Sequence, residues 1–303
     1  MNQHLNVFLA TDYSEAVMNA ERYAFGFAKE TQSSLTVLHV YELPFSLPLE
    51  LEERVKALER LKKYETQKLK THCDMILRSL NIKIQDIKLE YIALKGSIGK
   101  EIRKEAEHSH PDLIITGTHG TSNSLSLFQK SHTWDIIKKS NVPILAIPQN
   151  ALFKNIKKIV FATEYREGEI PGIQSIVKMA ARFGAKLVVV HISNHMLEKE
   201  FELMVYQRFN SDVRDKVSYE NLSFRIVYAD DIVKGLNDYC FSSSADWIAM
   251  SHAQPFFFET MLIPEKSITK EMSLKTHIPL LCIPDFYETN LDKPDQEMSY
   301  VKK

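Results

Sequence analysis

Two glycines stand three apart in Gly117-Thr-His-Gly120, directly after the apolar run Asp112-Leu-Ile-Ile-Thr. Glycine at such a junction lets backbone approach a ligand and allows positive φ, as a phosphate cradle requires. Further along, Lys130-Ser131 opens a helical pattern that runs to Lys139. A helix start there offers free N–H groups and a positive dipole end to an anion, and the Ser131 hydroxyl and Lys130 ammonium reach the same oxygens. Asp12 closes another apolar run, Val7-Phe-Leu-Ala-Thr11, and Val40 ends a third, Leu35-Thr-Val-Leu-His-Val40. By itself, Gly-x-x-Gly more often marks an ordinary turn, so context must decide.

Other chemistries lack their parts. Gly99-Lys100 is followed by Glu101 and has no upstream glycine at P-loop spacing. His108-Ser-His110 adjoins a helix end before Pro111, where exposed imidazoles complement the dipole more simply than they bind metal. His39 and His191 recur at equivalent strand ends and read as satisfied core or rim histidines. No nucleophile is paired with a base, so slow nucleotide hydrolysis is the most that catalysis could amount to.

The elements that would position these residues follow a simple alternation. Short apolar strands (7–11, 35–40, 87–93, 112–117 and 143–147) are separated by helical patterns, including a long charged one from about Glu50 to Leu80. Ser14 is a candidate N-cap for the first helix. The order βαβαβαβαβ with short βα turns predicts a parallel sheet covered on both faces, with ligands outside the carboxyl ends of its strands.

The pattern then starts again. Val160-Phe-Ala-Thr-Glu-Tyr-Arg-Glu167 echoes Phe8-Leu-Ala-Thr-Asp-Tyr-Ser-Glu15, and Leu187-Val-Val-Val-His191 echoes Leu35-Thr-Val-Leu-His39 at the same offset. Ala245-Asp-Trp-Ile parallels Pro111-Asp-Leu-Ile, and Ile278-Pro-Leu-Leu-Cys-Ile-Pro284 parallels Val142-Pro-Ile-Leu-Ala-Ile-Pro148. The expected organisation is an α/β chain of two tandem Rossmann-like domains, 1–148 and 156–284, each with five parallel strands. A linker (149–155) joins them, and a polar tail (285–303) is expected to be partly disordered.

The second copy lacks the cradle. Ser251 and Gln254 stand where Gly117 and Gly120 would be, Asp230 is aligned with Gly96, and Glu164 replaces Asp12. Its loop 253–263 is strongly apolar and includes Phe256 to Phe258.

Composition narrows the partners. A formal net charge of -1 provides no global field for nucleic acid or an anionic membrane. No apolar run is long enough to span a membrane, and the N-terminus lacks signal-peptide features, so a cytoplasmic location is expected. Cys73, Cys240 and Cys282 are too far apart for a disulfide framework or a zinc-binding pair.

Five features in order resemble the universal stress protein family: Asp12-Tyr-Ser, Leu38-His-Val40, Gly96-Ser-Ile-Gly-Lys-Glu-Ile102, Gly117-x-x-Gly120 and Val142-Pro-Ile-Leu-Ala-Ile-Pro148. The resemblance covers most of residues 1–150 and extends more faintly over 151–284. It implies an adenine nucleotide alpha hydrolase-like fold, an internal pseudo-dimer joined through the fifth strands, and ATP as ligand, with Mg²⁺ and a further homodimer left open. It also implies that Asp12 and the backbone at Ala10 and Val40 hold adenine and ribose, while Gly117, Gly120, Ser131 and His132 line the phosphates. The family's nucleotide-binding branch places a third glycine nine residues after the second, where this chain has Lys130. Lys130 either pairs with phosphate or fills the site. The leading expectation is ATP binding by the first domain in a stress-response role, with the second domain as scaffold. The alternative is a nucleotide-free interaction module acting through the 253–263 loop.

Overall fold

The structure is a computed structural model describing residues 4–43, 50–118, 132–194, 198–252 and 268–284. Gly120, Lys130, Ser131, the 253–263 loop and the 285–303 tail lie outside the described residues.

The first half runs β1 (Asn6–Thr11), α1 (Glu15–Thr31), β2 (Ser34–Tyr41), α2 (Leu51–Ser79), β3 (Lys88–Lys95), α3 (Ile98–Ser109), β4 (Leu113–Gly117), α4 (His132–Lys139) and β5 (Ile144–Ile147). The second half repeats it as β6 (Lys158–Ala162), α5 (Ile170–Phe183), β7 (Lys186–Ser193), α6 (Lys199–Lys216), β8 (Leu222–Tyr228), α7 (Ile232–Ser242), β9 (Trp247–His252), α8 (Ile268–Lys275) and β10 (Leu280–Pro284). All ten strands form one sheet in the order β3-β2-β1-β4-β5-β10-β9-β6-β7-β8. Neighbours are parallel except at the centre, where β5 and β10 run antiparallel with Leu281 opposite Leu145.

Strand side chains alternate between two apolar layers, which explains the continuous hydrophobic runs. Val7 and Leu9 face the layer built with α1, α2, α5 and α6, through residues such as Phe27, Leu69, Ile173 and Phe209. Phe8 and Ala10 face the opposite layer with Ile102, Ile136, Leu236 and Met272 from α3, α4, α7 and α8.

The first layer continues from one half into the other. Trp247 on β9 is fully buried, and its indole N–H donates to the Tyr23 hydroxyl of α1 at 2.7 Å. Its ring lies 6.1 Å from Phe27 and 5.6 Å from Phe183. The segment between the halves is also pinned. Asn19 donates to the carbonyls of Pro148 and Ala151, and Phe153 packs edge-on against Tyr23 and Phe27.

One local expectation is corrected. Ser14 sits at the N-terminus of α1 in extended conformation, but its hydroxyl makes no capping bond. Instead its carbonyl accepts from Val17 and Met18, and its N–H is held by the Asp12 carboxylate at 2.9 Å. An Asx turn formed by Asp12 sets the entry to the helix.

Candidate functional site

Strand order reverses between β1 and β4, which leave the centre of the first half in opposite directions. Ligands of open parallel sheets bind outside the carboxyl ends at such a reversal. Ala10 and Asp12 lie at the end of β1, Gly117 ends β4 and Val40 lies near the end of β2, all along one sheet margin. His132 opens α4, and Thr133 donates its hydroxyl to the Gly117 carbonyl at 2.5 Å. That bond draws the start of α4 onto the end of β4. On Asp12, Oδ1 holds the turn while Oδ2 has no bond among the described residues. The structure therefore brings Ala10, Asp12, Val40, Gly117 and the start of α4 to one edge. Gly120, Lys130 and Ser131 fall outside the described residues.

Beneath this edge is a polar cluster that sequence reasoning missed. Thr11, buried at the end of β1, donates its hydroxyl to Glu21 of α1, and that carboxylate also meets His72 Nε2 of α2 at 2.8 Å. Thr11 Oγ1 accepts from the Tyr13 N–H at 3.1 Å, fixing Tyr13 in a left-handed conformation with φ 63°. The Thr11 carbonyl accepts from His39 Nδ1 at 2.9 Å, and the other ring nitrogen faces Glu65 of α2 at 3.8 Å. The expectation that His39 is a satisfied histidine is met: its proton sits on Nδ1, and the ring serves as a brace.

The second half repeats the arrangement. Thr163 donates to Glu169 at 2.5 Å and accepts from the Tyr165 N–H at 2.9 Å, with Tyr165 at φ 62°. His191 Nδ1 meets the Thr163 carbonyl at 2.8 Å, and Nε2 faces Glu202 at 3.9 Å. The repeated Ala-Thr-acid-Tyr and Leu-x-His strings carried this signal. What they hid were the carboxylates, which come from helices at different spacings in the two halves.

The margin of the second half differs in its residues. Ser251 pairs with Ile283 as Gly117 pairs with Ile147, which places Ser251 in the glycine's position. Glu164, in place of Asp12, is tied to Arg166 at 3.3 Å. The expected alignment of Asp230 with Gly96 is corrected by one residue. Gly96 donates its N–H to the carbonyl of Tyr41, and Ala229 does the same to Ser193. Asp231 instead caps α7, accepting from the Lys234 N–H at 2.7 Å. His252 is buried with no partner on Nε2 among the described residues, and its ring lies 5.2 Å from Trp134 of α4 in the other half.

His108 and His110 are exposed, with His110 in the left-handed cap after α3. The three cysteines are free and buried. Among the described residues there is no cluster of three or more metal-ligating side chains, and no helix is long and apolar enough to cross a membrane.

Burial holds His39 below its ordinary value of 6.5, with Lys68 adding to the effect and the Thr11 carbonyl, Glu65 and Asp12 opposing it. Burial likewise lowers His252, reinforced by Arg166 and Lys138. Between these depressed values and 6.5, the unfolded chain takes up protons that the folded chain does not, so stability falls as pH drops through that window. Melting temperature is expected to decline from pH 7.5 to 5.5, and His252→Gln should remove part of the decline. An identical decline in the variant would exclude His252 as a contributor.

Comparison with known proteins places this geometry. The model of the universal stress protein family matches residues 5–148. One universal stress protein of Methanocaldococcus jannaschii is 28% identical over 150 residues, covering 46% of this chain and 93% of the relative. A second from the same organism is 25% identical over 146 residues, covering 48% of this chain and 83% of the relative. Across nearly the whole length, the fold is similar to a solved universal stress protein from Archaeoglobus fulgidus. The TM-score is 0.65 at 17% identity, covering 93% of this chain and 97% of that one. Over residues 5–148 the chain is thus similar to the universal stress protein family, and over nearly its whole length it shares the fold of a solved member.

Proposed function

We propose that the first half binds ATP or a related adenine nucleotide along the margin formed by β1, β2 and β4, in a regulatory stress-response role within the cytoplasm. The observation that carries this reading is the convergence of Asp12 and Gly117 on the two sides of the strand reversal, with α4 tied to the same point through Thr133. The residues fit such a ligand. Asp12 Oδ2 supplies an acceptor for a ribose hydroxyl or an exocyclic amine. The missing Cβ at Gly117 keeps backbone accessible at the strand end, and the start of α4 favours phosphate. Gly120, Lys130, Ser131 and His132 complete the proposed set by their place in the sequence. The second half acts as a scaffold in an internal pseudo-dimer. Ser251 at the glycine position and the Glu164–Arg166 pair support that division of labour.

The test is calorimetric titration of Mg²⁺ and ATP into nucleotide-stripped protein. One site per chain is expected, with stabilisation of about 2.7 kcal/mol when free nucleotide is 100 times its Kd. Asp12→Ala should weaken binding by roughly tenfold through loss of a hydrogen bond to a carboxylate. Two sites per chain would overturn the scaffold assignment. Absence of heat and of thermal stabilisation would overturn nucleotide binding and shift attention to the 253–263 loop as an interaction surface.

A further inference from the structure

The two halves carry the same tyrosine in the same strained turn, so each is a reference for the other. Tyr13 and Tyr165 share a left-handed backbone, and each ring lies 4.2 Å from the neighbouring strand's histidine. Glu65 and Glu202 face those histidines at 3.8 and 3.9 Å and set α2 and α6 in register. Counting from them, Lys68 corresponds to Val205, Leu69 to Tyr206 and His72 to Phe209.

In the second half the outer face of the tyrosine is closed. Phe209 lies 5.4 Å from the Tyr165 ring and Tyr206 lies 6.2 Å from it; in the first half His72 packs on Tyr13 at 5.0 Å in the Phe209 position, but Leu69 stands in place of Tyr206. Beside His72 the first half has a recess of about 430 Å³ lined by Tyr13, Tyr64, Gln67, Lys68, Thr71, His72 and Met75. Its size lies within the ordinary range of about 300–1,000 Å³ for small-ligand sites. The Lys68 ammonium stands 4.6 Å from the Tyr13 ring centroid, and its contact to Glu65 is long at 3.9 Å, which leaves it donors for a ligand. The Tyr13 hydroxyl is buried with no partner among the described residues. His72 commits Nε2 to Glu21, so Nδ1 is its nitrogen left for a ligand. The Tyr165 hydroxyl is likewise buried without a partner among the described residues, so what distinguishes the first half is Lys68 and His72 where the second has Val205 and Phe209. The recess combines two aromatic walls, a cation and hydrogen-bonding groups at its rim.

We propose that this recess binds a planar aromatic carboxylate, with its ring against Tyr64 and its carboxylate against Lys68. Tyr13 packs on the α2 side of the sheet, whereas Ala10, Val40 and the buried residues of α4 face the other layer. The proposal therefore does not rest on nucleotide binding.

The experiment titrates full-length protein with 2-naphthoate and with the uncharged 2-naphthamide, followed by ligand fluorescence and saturation-transfer NMR. Saturable binding of 2-naphthoate is expected. Loss of the charge-assisted hydrogen bond should weaken both 2-naphthamide with native protein and 2-naphthoate with Lys68→Met by roughly tenfold. Thr71→Trp, at an exposed position on the rim, should abolish binding with no loss of thermal stability. ATP should leave the probe in place. The proposal is overturned by non-saturating signal, by equal affinity for the acid and the amide, by retention in Thr71→Trp, or by displacement with ATP. Lys68→Met keeps the result interpretable should Thr71→Trp disturb α2, because it preserves the aliphatic stem.

Discussion

Trp247→Ala is expected to destabilise the whole protein by about 3–5 kcal/mol, the range for deleting a large buried aromatic side chain. The indole is fully enclosed, and the atoms around it come from both halves: Phe27 and the Tyr23 hydroxyl from α1, and Phe183 from α5. Removing it leaves a cavity and strands the Tyr23 hydroxyl, which is itself buried, without its indole donor. Because the cluster bridges the halves, the loss should appear in the stability of both. Urea denaturation followed by far-ultraviolet circular dichroism should show an earlier midpoint for the entire transition. A variant in which only one half unfolded earlier would show that the halves are energetically separate despite the shared layer. Trp247→Phe, which keeps most of the volume but not the N–H, should cost less and separates packing from hydrogen bonding.

The second large effect is expected at Gly99, in the first turn of α3. A Cβ added there would meet the side chain of Asp135 and lie 2.8 Å from its backbone oxygen on α4. Backbone cannot yield as a flexible side chain does, so Gly99→Val must push α3 and α4 apart. Overpacking of this kind costs about 1–3 kcal/mol. A functional consequence should accompany the stability cost. α4 is the helix that Thr133 holds to Gly117, and moving it by a few tenths of an ångström disturbs the start of the helix proposed to face phosphate. ATP affinity is expected to fall at least tenfold in Gly99→Val, with a smaller change in Gly99→Ala, measured by calorimetry under conditions where both variants remain folded. Unchanged ATP affinity in Gly99→Val, with the expected loss of stability, would show that α4 does not contribute to the site.

Most of the architecture is legible in the sequence because parallel strands covered on both faces are written as unbroken apolar runs. Val7 to Thr11 and Leu35 to Val40 emerge as strands with bounds shifted by a residue or so. The long α2 emerges from the spacing of Leu69, Cys73, Ile76 and Leu80, of which the first three are buried. The duplication is equally plain, since strings such as Ala-Thr-acid-Tyr survive in both halves. Less legible is what depends on distant partners. Glu65 and His72 belong to the charged helix from about Glu50 to Leu80, and Glu21 to the first helix, yet the fold turns all three inward onto Thr11, His39 and Tyr13. Nothing local marks a glutamate that will meet a strand end far away in the chain. The Ser14 cap fails for a related reason. The Val17 N–H that a Ser14 hydroxyl cap would receive goes to the Ser14 carbonyl instead, while Asp12 holds the Ser14 N–H from two residues earlier. The offset at Gly96 arises because the second half inserts one residue before α7, a shift visible only through the matching bonds to Tyr41 and Ser193.

The antiparallel seam between β5 and β10 frees each half to change alone. Two identical subunits meeting through such strands receive every substitution twice, so a residue that suits one site but harms its copy is penalised by symmetry. They also separate on dilution. Here the partner is covalently attached, and seam formation is intramolecular and independent of protein concentration. The first half can then keep a glycine margin and an open recess. Meanwhile the second replaces the glycine with Ser251 and closes its recess with Tyr206 and Phe209.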